Sequence, residues 1–569
     1  MAEERKITGY PSIDKPWLKY YSEEAIHAPL PEMTMYQYIW ENNKGDLSDT
    51  ALQYYGTKIT YGKLFENIKK AADAFYAMGV RTGDIVTIMS MHTPETIYSV
   101  YALNYIGAVA NMVYMTLSEK EILYTLENTE SKLFLVLDAA LNRVEAVKDS
   151  LRIPVVVLGV SDSMPLHMKL GYSLKTKPKK HNHMHWKEFL SNGRSAPMAN
   201  DHSTSAVIVY TSGTTGEPKG VVLSDDCFNA IVSQIVHIDR NDQRREIVLH
   251  CIPIFFGFGL SMLHRYIAMG MNIDLSIQVD VDSVGKKFQK IKPNRFVSGP
   301  PWTVGIMKHV KGDMSYCIDI TGGGAAIAPE KEKEFNSFLE MHNAQTKYLN
   351  GYGMSEFCSA VTTNQRKAYK LGSLGIPFVF TTAKIVDVDT NNELPYGAEG
   401  EICFSTPSMM LGYYKNAEAT EKIIDTDENG KSWLRTGDLG YIDKDGFVFI
   451  KGRLKRIYTT KMSDGMIYKL FCQRIEDVIS DHPSVKICAA VAQPDPERQN
   501  VPVVFAVMDE HLSTPYKEKQ AIIAEISHKE LPEHMQPVSI FILDSMPMTQ
   551  SGKIDYRALE KKLEEMQHA

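Results

Sequence analysis

Tyr210-Thr-Ser-Gly-Thr-Thr-Gly-Glu-Pro-Lys-Gly220 is the most informative stretch of this 569-residue chain. It continues Ser205-Ala-Val-Ile-Val-Tyr210, whose apolar, β-branched composition predicts a buried strand. Beyond the strand end, Gly213 and Gly216 let the backbone curl, so that successive N–H groups can turn towards one anion. The hydroxyls of Thr211, Ser212, Thr214 and Thr215 add donors, and Lys219 adds a positive charge. A plain Ser/Gly turn needs neither so many hydroxyls nor a lysine, and the segment reads as a polyphosphate cradle. It is not the P-loop of nucleoside triphosphatases, whose Gly-Lys-Ser/Thr order is missing.

Towards the N-terminus, helical and strand-like patterns alternate. Tyr61 to Met78 spaces its apolar residues as a helix does, and Asp84-Ile-Val-Thr-Ile-Met89 reads as a short buried strand. Pro94 to Ile106 is helical again; Lys132 to Leu137 and Ile153 to Leu158 are strand-like. This alternation predicts an α/β fold with a largely parallel, helix-covered sheet. The segment 161–185 departs from the pattern. It carries Lys169, Lys175, Lys177, Lys179 and Lys180, then His181, His183 and His185. With no cysteine or acid beside them in sequence to complete a metal set, it reads as a solvated loop ahead of a helix starting near Trp186. A membrane-surface role for its lysines is the lesser alternative.

Towards the C-terminus, the strand-like Phe447-Val-Phe-Ile450 leads into Gly452-Arg-Leu-Lys455, where we place the main boundary. Residues 1–452 form the large lobe and 453–569 a small one. The small lobe has its own α+β pattern: a helix around Gln473–Ser480, strands at Val485–Val491 and Val503–Met508, and a helix around Tyr516–Lys529. A chain this long exceeds one ordinary core.

The 62 basic and 69 acidic residues leave a net charge of −7, with 44% hydrophobic and 23% charged residues. That balance suits a soluble globular protein and argues against general binding to nucleic acid or anionic membrane. The seven cysteines show no CxxC pair and read as buried thiols of a reducing compartment. The first residues, MAEERKITGYPS, lack an apolar signal core, and the most apolar short run, Cys251 to Leu263, is too short to span a bilayer. These features predict a cytoplasmic protein.

Further motifs follow the cradle in order: Thr321-Gly-Gly-Gly-Ala-Ala, Asn350-Gly-Tyr-Gly-Met-Ser-Glu356, Gly400-Glu-Ile with Gly412-Tyr-Tyr, Leu434-Arg-Thr-Gly-Asp-Leu439, Gly452-Arg-Leu-Lys455 and Pro547-Met-Thr-Gln-Ser-Gly-Lys-Ile-Asp555. From about Pro31 to Leu559 the chain resembles the adenylate-forming, AMP-binding superfamily, which includes acyl-CoA synthetases, firefly luciferase and the adenylation domains of nonribosomal peptide synthetases. The type it resembles is an acyl-CoA synthetase, a fatty-acid–CoA ligase.

The resemblance implies a large multi-subdomain α/β lobe carrying the acyl and ATP sites, and a small α+β lobe on a hinge at Lys455. It implies that a carboxylate attacks the α-phosphate of ATP, releasing pyrophosphate, and that coenzyme A then takes the acyl group. Bringing two anions together calls for cations, donors and positioning more than for a base. Glu356 would hold Mg²⁺ through oxygen, and Ser355 would offer its hydroxyl to the α-phosphate. Tyr352 would face adenine, flanked by Gly353; Gly323 and Gly324 would leave a bare backbone edge beside adenine and the acyl group. Asp438 and Arg453 would bind the ribose. Lys553 would neutralise the carboxylate and α-phosphate during adenylation. By motif position, Phe256, Gly257, Phe258, Trp302, Met354 and Ser359 would line the acyl pocket.

Two departures from the family pattern matter. The usual Pro-x-Phe-His reads Pro253-Ile-Phe-Phe256, followed by Gly257-Phe-Gly259, so an aromatic ring replaces the histidine. After the hinge, Arg456-Ile-Tyr-Thr-Thr-Lys-Met-Ser-Asp464 is longer than usual before its glycine. Ile252 to Leu260 carries no charge to pair with an α-ammonium, so the expected acid has an apolar body and no α-amino group. Room left by Gly257 and Gly259 favours a medium- or long-chain fatty acid over an aryl or polycyclic acid. Transfer to a carrier-protein phosphopantetheine is the alternative to free coenzyme A.

Overall fold

The computed structural model describes the chain apart from residues 1–6, 177–180, 212–218, 239–242, 326, 464, 510, 513, 550–551 and 569. The alternating N-terminal pattern gives an eight-stranded sheet. Its order is Gly412–Tyr413, Gly220–Ser224, Ser205–Tyr210, Val109–Met112, Ile85–Met89, Leu133–Leu137, Val155–Leu158 and Met184–His185. It is parallel from Ser205–Tyr210 onward and antiparallel where Gly220–Ser224 and Gly412–Tyr413 are added. All five residues of Leu133–Leu137 are buried. A parallel strand covered on both faces reads as an unbroken apolar run for this reason.

A nine-stranded sheet runs Ile376–Pro377, Ala360–Thr363, Tyr348–Gly353, Asp319–Gly322, Arg295–Ser298, Ile247–His250, Asn272–Leu275, Thr50–Tyr54 and Thr57–Thr60. One apolar core includes residues of both sheets, among them Val86, Leu135, Leu52 and Ile273. The helix Tyr61–Ala77, capped by the Thr60 side chain, adds its buried face of Leu64, Phe65, Ile68, Ala71, Ala72 and Phe75 to this core. A third, antiparallel sheet carries Ser432–Ile442 between Gly400–Ser405 and Ile424–Thr426, and Val448–Arg453 also pairs with Ser432–Ile442.

The small lobe packs the three-stranded sheet Val485–Asp495, Gln499–Met508 and Ser539–Ile542 with the helices Cys472–Ser480, Tyr516–Glu530 and Tyr556–His568. A separate ribbon pairs Ile457–Lys461 with Ile467–Phe471, which is where the lengthened segment after Lys455 goes. Elements read from periodicity agree with the structure to within a few residues; the strand expected at Val485–Val491, for example, extends to Asp495.

The segment 161–185 corrects the expectation of a solvated loop. It contains the helix Leu166–Thr176 and the edge strand Met184–His185. Met168 and Tyr172, four residues apart, set one face of this helix on the main core. His183 Nε2 lies 2.8 Å from Glu145 Oε1, an acid that linear sequence did not place nearby. Among the described residues no three His, Cys, Asp or Glu side chains gather as a metal site, and no helix is long and apolar enough to cross a membrane. All seven cysteines are buried and unpaired.

Candidate active site

The segment expected to cradle phosphate begins at the neck between two antiparallel strands, with Tyr210 opposite Gly220. The Thr211 amide donates to the Lys219 carbonyl at 3.1 Å and the Lys219 amide to Thr211 Oγ1 at 3.4 Å, which closes the neck. Ser212, Gly213, Thr214, Thr215 and Gly216 lie outside the described residues. The strand Gly412–Tyr413 pairs beside the neck, and Lys219 Nζ stands 4.7 Å from the Tyr413 ring centroid. The Tyr413 hydroxyl donates to Glu356 Oε1 at 2.6 Å. Tyr413 thus joins the cradle's lysine to the carboxylate of the next motif. Sequence reading quoted Gly412-Tyr-Tyr but gave this hydroxyl no role; only the cross-strand pairing reveals it.

Glu356 sits in the single turn Ser355–Phe357, directly after the strand Tyr348–Gly353, and is buried. Its carbonyl accepts the Met410 amide at 2.8 Å. The turn closes at Cys358, which takes φ +65°, an uncommon conformation for a residue with a side chain. A Cβ on Gly353 would lie 2.0 Å from the Ser359 carbonyl, and one on Gly351 2.8 Å from that of Thr362. The glycines flanking Tyr352 are therefore required by the neighbouring strand. By contrast, a Cβ on Gly323 meets only ordinary contacts, the nearest being the Phe258 ring at 3.7 Å, and one on Gly324 meets nothing within 4 Å.

Asp438 is at the centre of a second cluster. Its strand pairs with Val448–Arg453, bringing it opposite Arg453. Its side chain is 1% exposed, with Oδ1 2.8 Å from Arg453 Nε. That contact is ionic without a well-directed hydrogen bond, so Oδ1 remains a buried acceptor lacking a donor. Oδ2 accepts from the Tyr352 hydroxyl. The turn before it is held by Thr436 Oγ1, which accepts the Asp438 amide at 3.1 Å, and by Gly437 at φ +71°. Burial pushes the Asp438 carboxyl up, opposed by Arg453, the Tyr352 hydroxyl and Lys553. Burial works most strongly against the charge of Arg453, but Asp438, Tyr352 and Glu356 together outweigh it and hold the guanidinium above its usual range.

Lys553 lies close enough to feel these groups. Although its surface is solvent-accessible, surrounding protein and the Arg453 charge push its ammonium down, while Glu356 and Asp438 pull it up. The loop that carries it folds back on itself. The Thr549 amide donates to the Lys553 carbonyl at 2.7 Å, and Gly552 takes φ +78°. The structure therefore gathers Lys219, Glu356, Tyr352, Asp438, Arg453 and Lys553, from separate elements of both lobes, into one polar region. Between the lobes, Arg453 is tied to Asp438, whereas Arg456 pairs with Glu476 at 2.5 Å and stacks on Tyr556 at 3.7 Å. Leu454 and Lys455 lie between these two anchors.

Among the residues expected to line an acyl pocket, Phe256 precedes the helix Gly257–Ala268 and packs on Phe255 and Tyr114, with ring centroids 4.7 and 5.6 Å apart. Phe258 borders Gly323. Trp302 donates its Nε1 hydrogen to Val279 at 2.8 Å. Met354 packs with the core of the antiparallel sheet. Ser359 Oγ is buried without a hydrogen-bond partner. The expectation that Gly257 and Gly259 leave room for a chain fails. Cβ atoms there would stand 2.8 Å from the Cys358 carbonyl and 2.2 Å from the Pro253 carbonyl, so protein already fills that space.

Residues 39–414 match the AMP-binding enzyme family and residues 474–553 the AMP-binding enzyme C-terminal domain. The chain belongs to the AMP-binding enzyme family. It is an AMP-forming acid–thiol ligase. The long-chain-fatty-acid–CoA ligase of Bacillus subtilis (strain 168) is 26% identical over 97% of this chain and 99% of its own. The 4-coumarate–CoA ligase-like 2 of Arabidopsis thaliana is 28% identical over 89% of this chain and 86% of its own. Among solved structures, ATP-bound MatB from Rhodopseudomonas palustris shares the fold, with a TM-score of 0.78 at 20% identity over 93% of this chain and 99% of that one. The family's two-lobe α/β architecture is thus the one observed.

Proposed function

We propose that this enzyme activates an apolar carboxylic acid as its acyl-adenylate, releases pyrophosphate, and transfers the acyl group to coenzyme A. The observation that carries the reading is the convergence of Glu356, Asp438, Arg453 and Lys553 on one polar region, with Glu356 joined through Tyr413 to Lys219. Ionic groups so close together in protein are costly unless a ligand shares them.

In this reading the ribose hydroxyls donate to Asp438, whose buried Oδ1 lacks a donor, and Arg453 holds that carboxylate in place. Tyr352 positions Asp438 through its hydroxyl and faces adenine, beside the open edge at Gly323 and Gly324. Lys219, Thr211 and Ser355 approach the phosphates. Lys553 offsets the negative charge that accumulates as the carboxylate oxygen bonds to the α-phosphorus and the bond to pyrophosphate breaks. One buried carboxylate, with phosphate oxygens and water completing the shell, is a pattern Mg²⁺ accepts, so Glu356 would hold that ion with Tyr413 orienting it. Bound there, Mg²⁺ would supply electrostatic stabilisation of the phosphates.

The lobes divide at 452/453, with Lys455 the pivot. Support comes from the opposite attachments of Arg453 and Arg456 on either side of it. Rotation there would exchange Lys553 for the thiol-facing side of the small lobe between the two half-reactions. The seven free, buried cysteines support a cytoplasmic setting.

For the acid, the uncharged surroundings of Phe256 and Phe258 support an apolar body, and a medium- or long-chain fatty acid is our first assignment, as named for the Bacillus relative. An aryl acid is second, as named for the Arabidopsis relative. Pyrophosphate release should be measured for decanoate, palmitate, a cinnamate-type acid and leucine, with and without coenzyme A. Leucine outperforming the others would overturn the apolar reading. Turnover of the cinnamate alone would move the assignment to aryl acids, and a thioester formed only on a carrier protein would replace coenzyme A as acceptor.

A further inference from the structure

The helix Leu166–Thr176 has two opposed apolar faces. At about 100° per residue, Met168 and Tyr172 point one way, while Leu166, Leu170 and Leu174 occupy an arc of about 80° on the other side. Met168 and Tyr172 pack against the main core. The three leucines are 75%, 59% and 79% exposed, among the most exposed large apolar side chains of the protein. The protein surface just before this helix is fixed in place. Ser163 Oγ donates to the buried Glu95 at 2.5 Å, and Asp162 accepts the Gly159 amide at 2.8 Å.

Three leucines held outward by a firmly seated helix cost solvation unless something covers them. The charge of the neighbouring sequence points to the cover. Between Asp162 and Glu188 the sequence has six lysines, at 169, 175, 177, 179, 180 and 187, and no acidic residue, in a chain whose net charge is −7. Lys169 is exposed beside the leucine arc, its ammonium 3.7 Å from Asp162 Oδ1, an exposed pair that leaves it free to meet a further anion. A second copy of this chain would bring the same lysines against themselves, and an apolar protein partner would leave them without counter-charge. An apolar stripe with basic flanks instead matches a lipid–water interface, where leucines enter the headgroup boundary and lysines meet phosphates.

We infer that this helix docks the enzyme in the plane of a bilayer surface bearing anionic phospholipid headgroups, with Leu166, Leu170 and Leu174 inserted. The surface lies apart from the nucleotide site, and the inference goes beyond the proposed reaction; it stands whichever carboxylic acid is activated.

The test uses the full-length enzyme with large unilamellar vesicles of dioleoyl-phosphatidylcholine alone, or mixed with dioleoyl-phosphatidylglycerol. Co-sedimentation with the mixed vesicles, little with phosphatidylcholine alone, and release by high salt are expected. Leu166→Ser/Leu170→Ser/Leu174→Ser should lower vesicle affinity roughly tenfold or more. Vesicle-free pyrophosphate release and the thermal melt should stay unchanged, which separates lost docking from lost folding. Lys169→Gln and Lys175→Gln should each weaken binding about fivefold. Absence of co-sedimentation, or equal binding by the triple-serine variant, would overturn the inference. So would a wild-type dimer in sedimentation velocity that the triple variant dissociates, since the leucines would then cover a second copy.

Discussion

The two halves of the site, which we assign to the nucleotide and to the acyl group, are built by different means. On the nucleotide side, polar groups hold one another: Tyr352 and Arg453 hold Asp438, and Tyr413 bridges Lys219 and Glu356. On the acyl side, main chain does the shaping. The carbonyls of Cys358 and Pro253 fill the space next to Gly257 and Gly259, and rings pack around Phe256. A substitution in the first region removes an interaction; in the second it inserts or removes volume. The two should therefore fail differently, the first in chemistry and the second in packing and acid selectivity.

The largest separation should come from Lys553→Ala. Losing the one lysine of the C-terminal loop that meets Glu356 and Asp438 should slow adenylation by roughly 10²–10³-fold, as deleting one electrostatic stabiliser does. Thioester formation from supplied acyl-adenylate should be largely kept. Burial and Arg453 lower this ammonium's pKa, so the charged form is lost earlier as pH rises than for a free lysine. Lys553→Arg should move the alkaline limb of adenylation upward, because guanidinium stays charged. Equal loss of both half-reactions in the alanine variant would remove the division of roles. Lys455→Pro should give the complementary result, with adenylate forming and thioester lagging, because proline fixes φ between the two anchored arginines. Wild-type rates for both steps would exclude Lys455 as the pivot.

Tyr413→Phe tests whether the polar side is one linked unit. The substitution keeps the ring beside Lys219 and removes only the 2.6 Å hydrogen bond to Glu356. Partners that orient a metal ligand typically contribute 10–100-fold in metal affinity, so the Mg²⁺ needed for half-maximal pyrophosphate release should rise by about tenfold. An unchanged titration would detach Tyr413 from the metal ligand. Glu356→Gln should shift the same titration further; if it does not, Glu356 is not the ligand.

The contrast also explains what was legible in the sequence. Parallel strands announce themselves as apolar runs, so the fold class could be named before any coordinates, and the polar residues that the structure draws together fall in motifs whose hydroxyls, glycines and charges have few other uses. What escaped depended on which distant residues meet. Tyr413 acquires its role from a strand pairing across about two hundred residues, Gly412 opposite Val222. Gly257 and Gly259 were read as open space because a glycine looks alike in sequence whether it faces a substrate or a carbonyl. The helix Leu166–Thr176 was missed because its leucines face out, so its periodicity resembled that of a basic loop.

Gly259→Ala should damage packing and leave nucleotide chemistry alone. The new methyl would have to displace the Pro253 carbonyl, 2.2 Å away, and main chain yields less readily than a side chain. Overpacking of this kind costs about 1–3 kcal/mol, visible as a lowered thermal midpoint. The KM for ATP should stay at its wild-type value. A variant as stable as wild type, but selective for shorter acids, would restore the passage that the structure fills.

The smallest effect should be that of Phe256→Leu, and it addresses the acyl side alone. Phe256 contacts Phe255 and Tyr114 edge-to-face or tilted, and a leucine side chain keeps the apolar contact but loses the ring geometry. Aromatic pairs contribute about 0.5–1.5 kcal/mol beyond their buried area, which corresponds to roughly two- to tenfold. The substituted position precedes the helix Gly257–Ala268, where no side chain caps the first turn, so no hydrogen bond is lost. The change should therefore appear in the KM for the carboxylic acid, with ATP and Mg²⁺ dependence untouched. If Phe256 only packs against the core, the thermal midpoint will fall and the KM for the acid will not move. If instead KM for ATP rises together with that for the acid, the two sides are coupled through the neighbouring turn at Cys358, and the separation between polar and packed halves of the site is wrong.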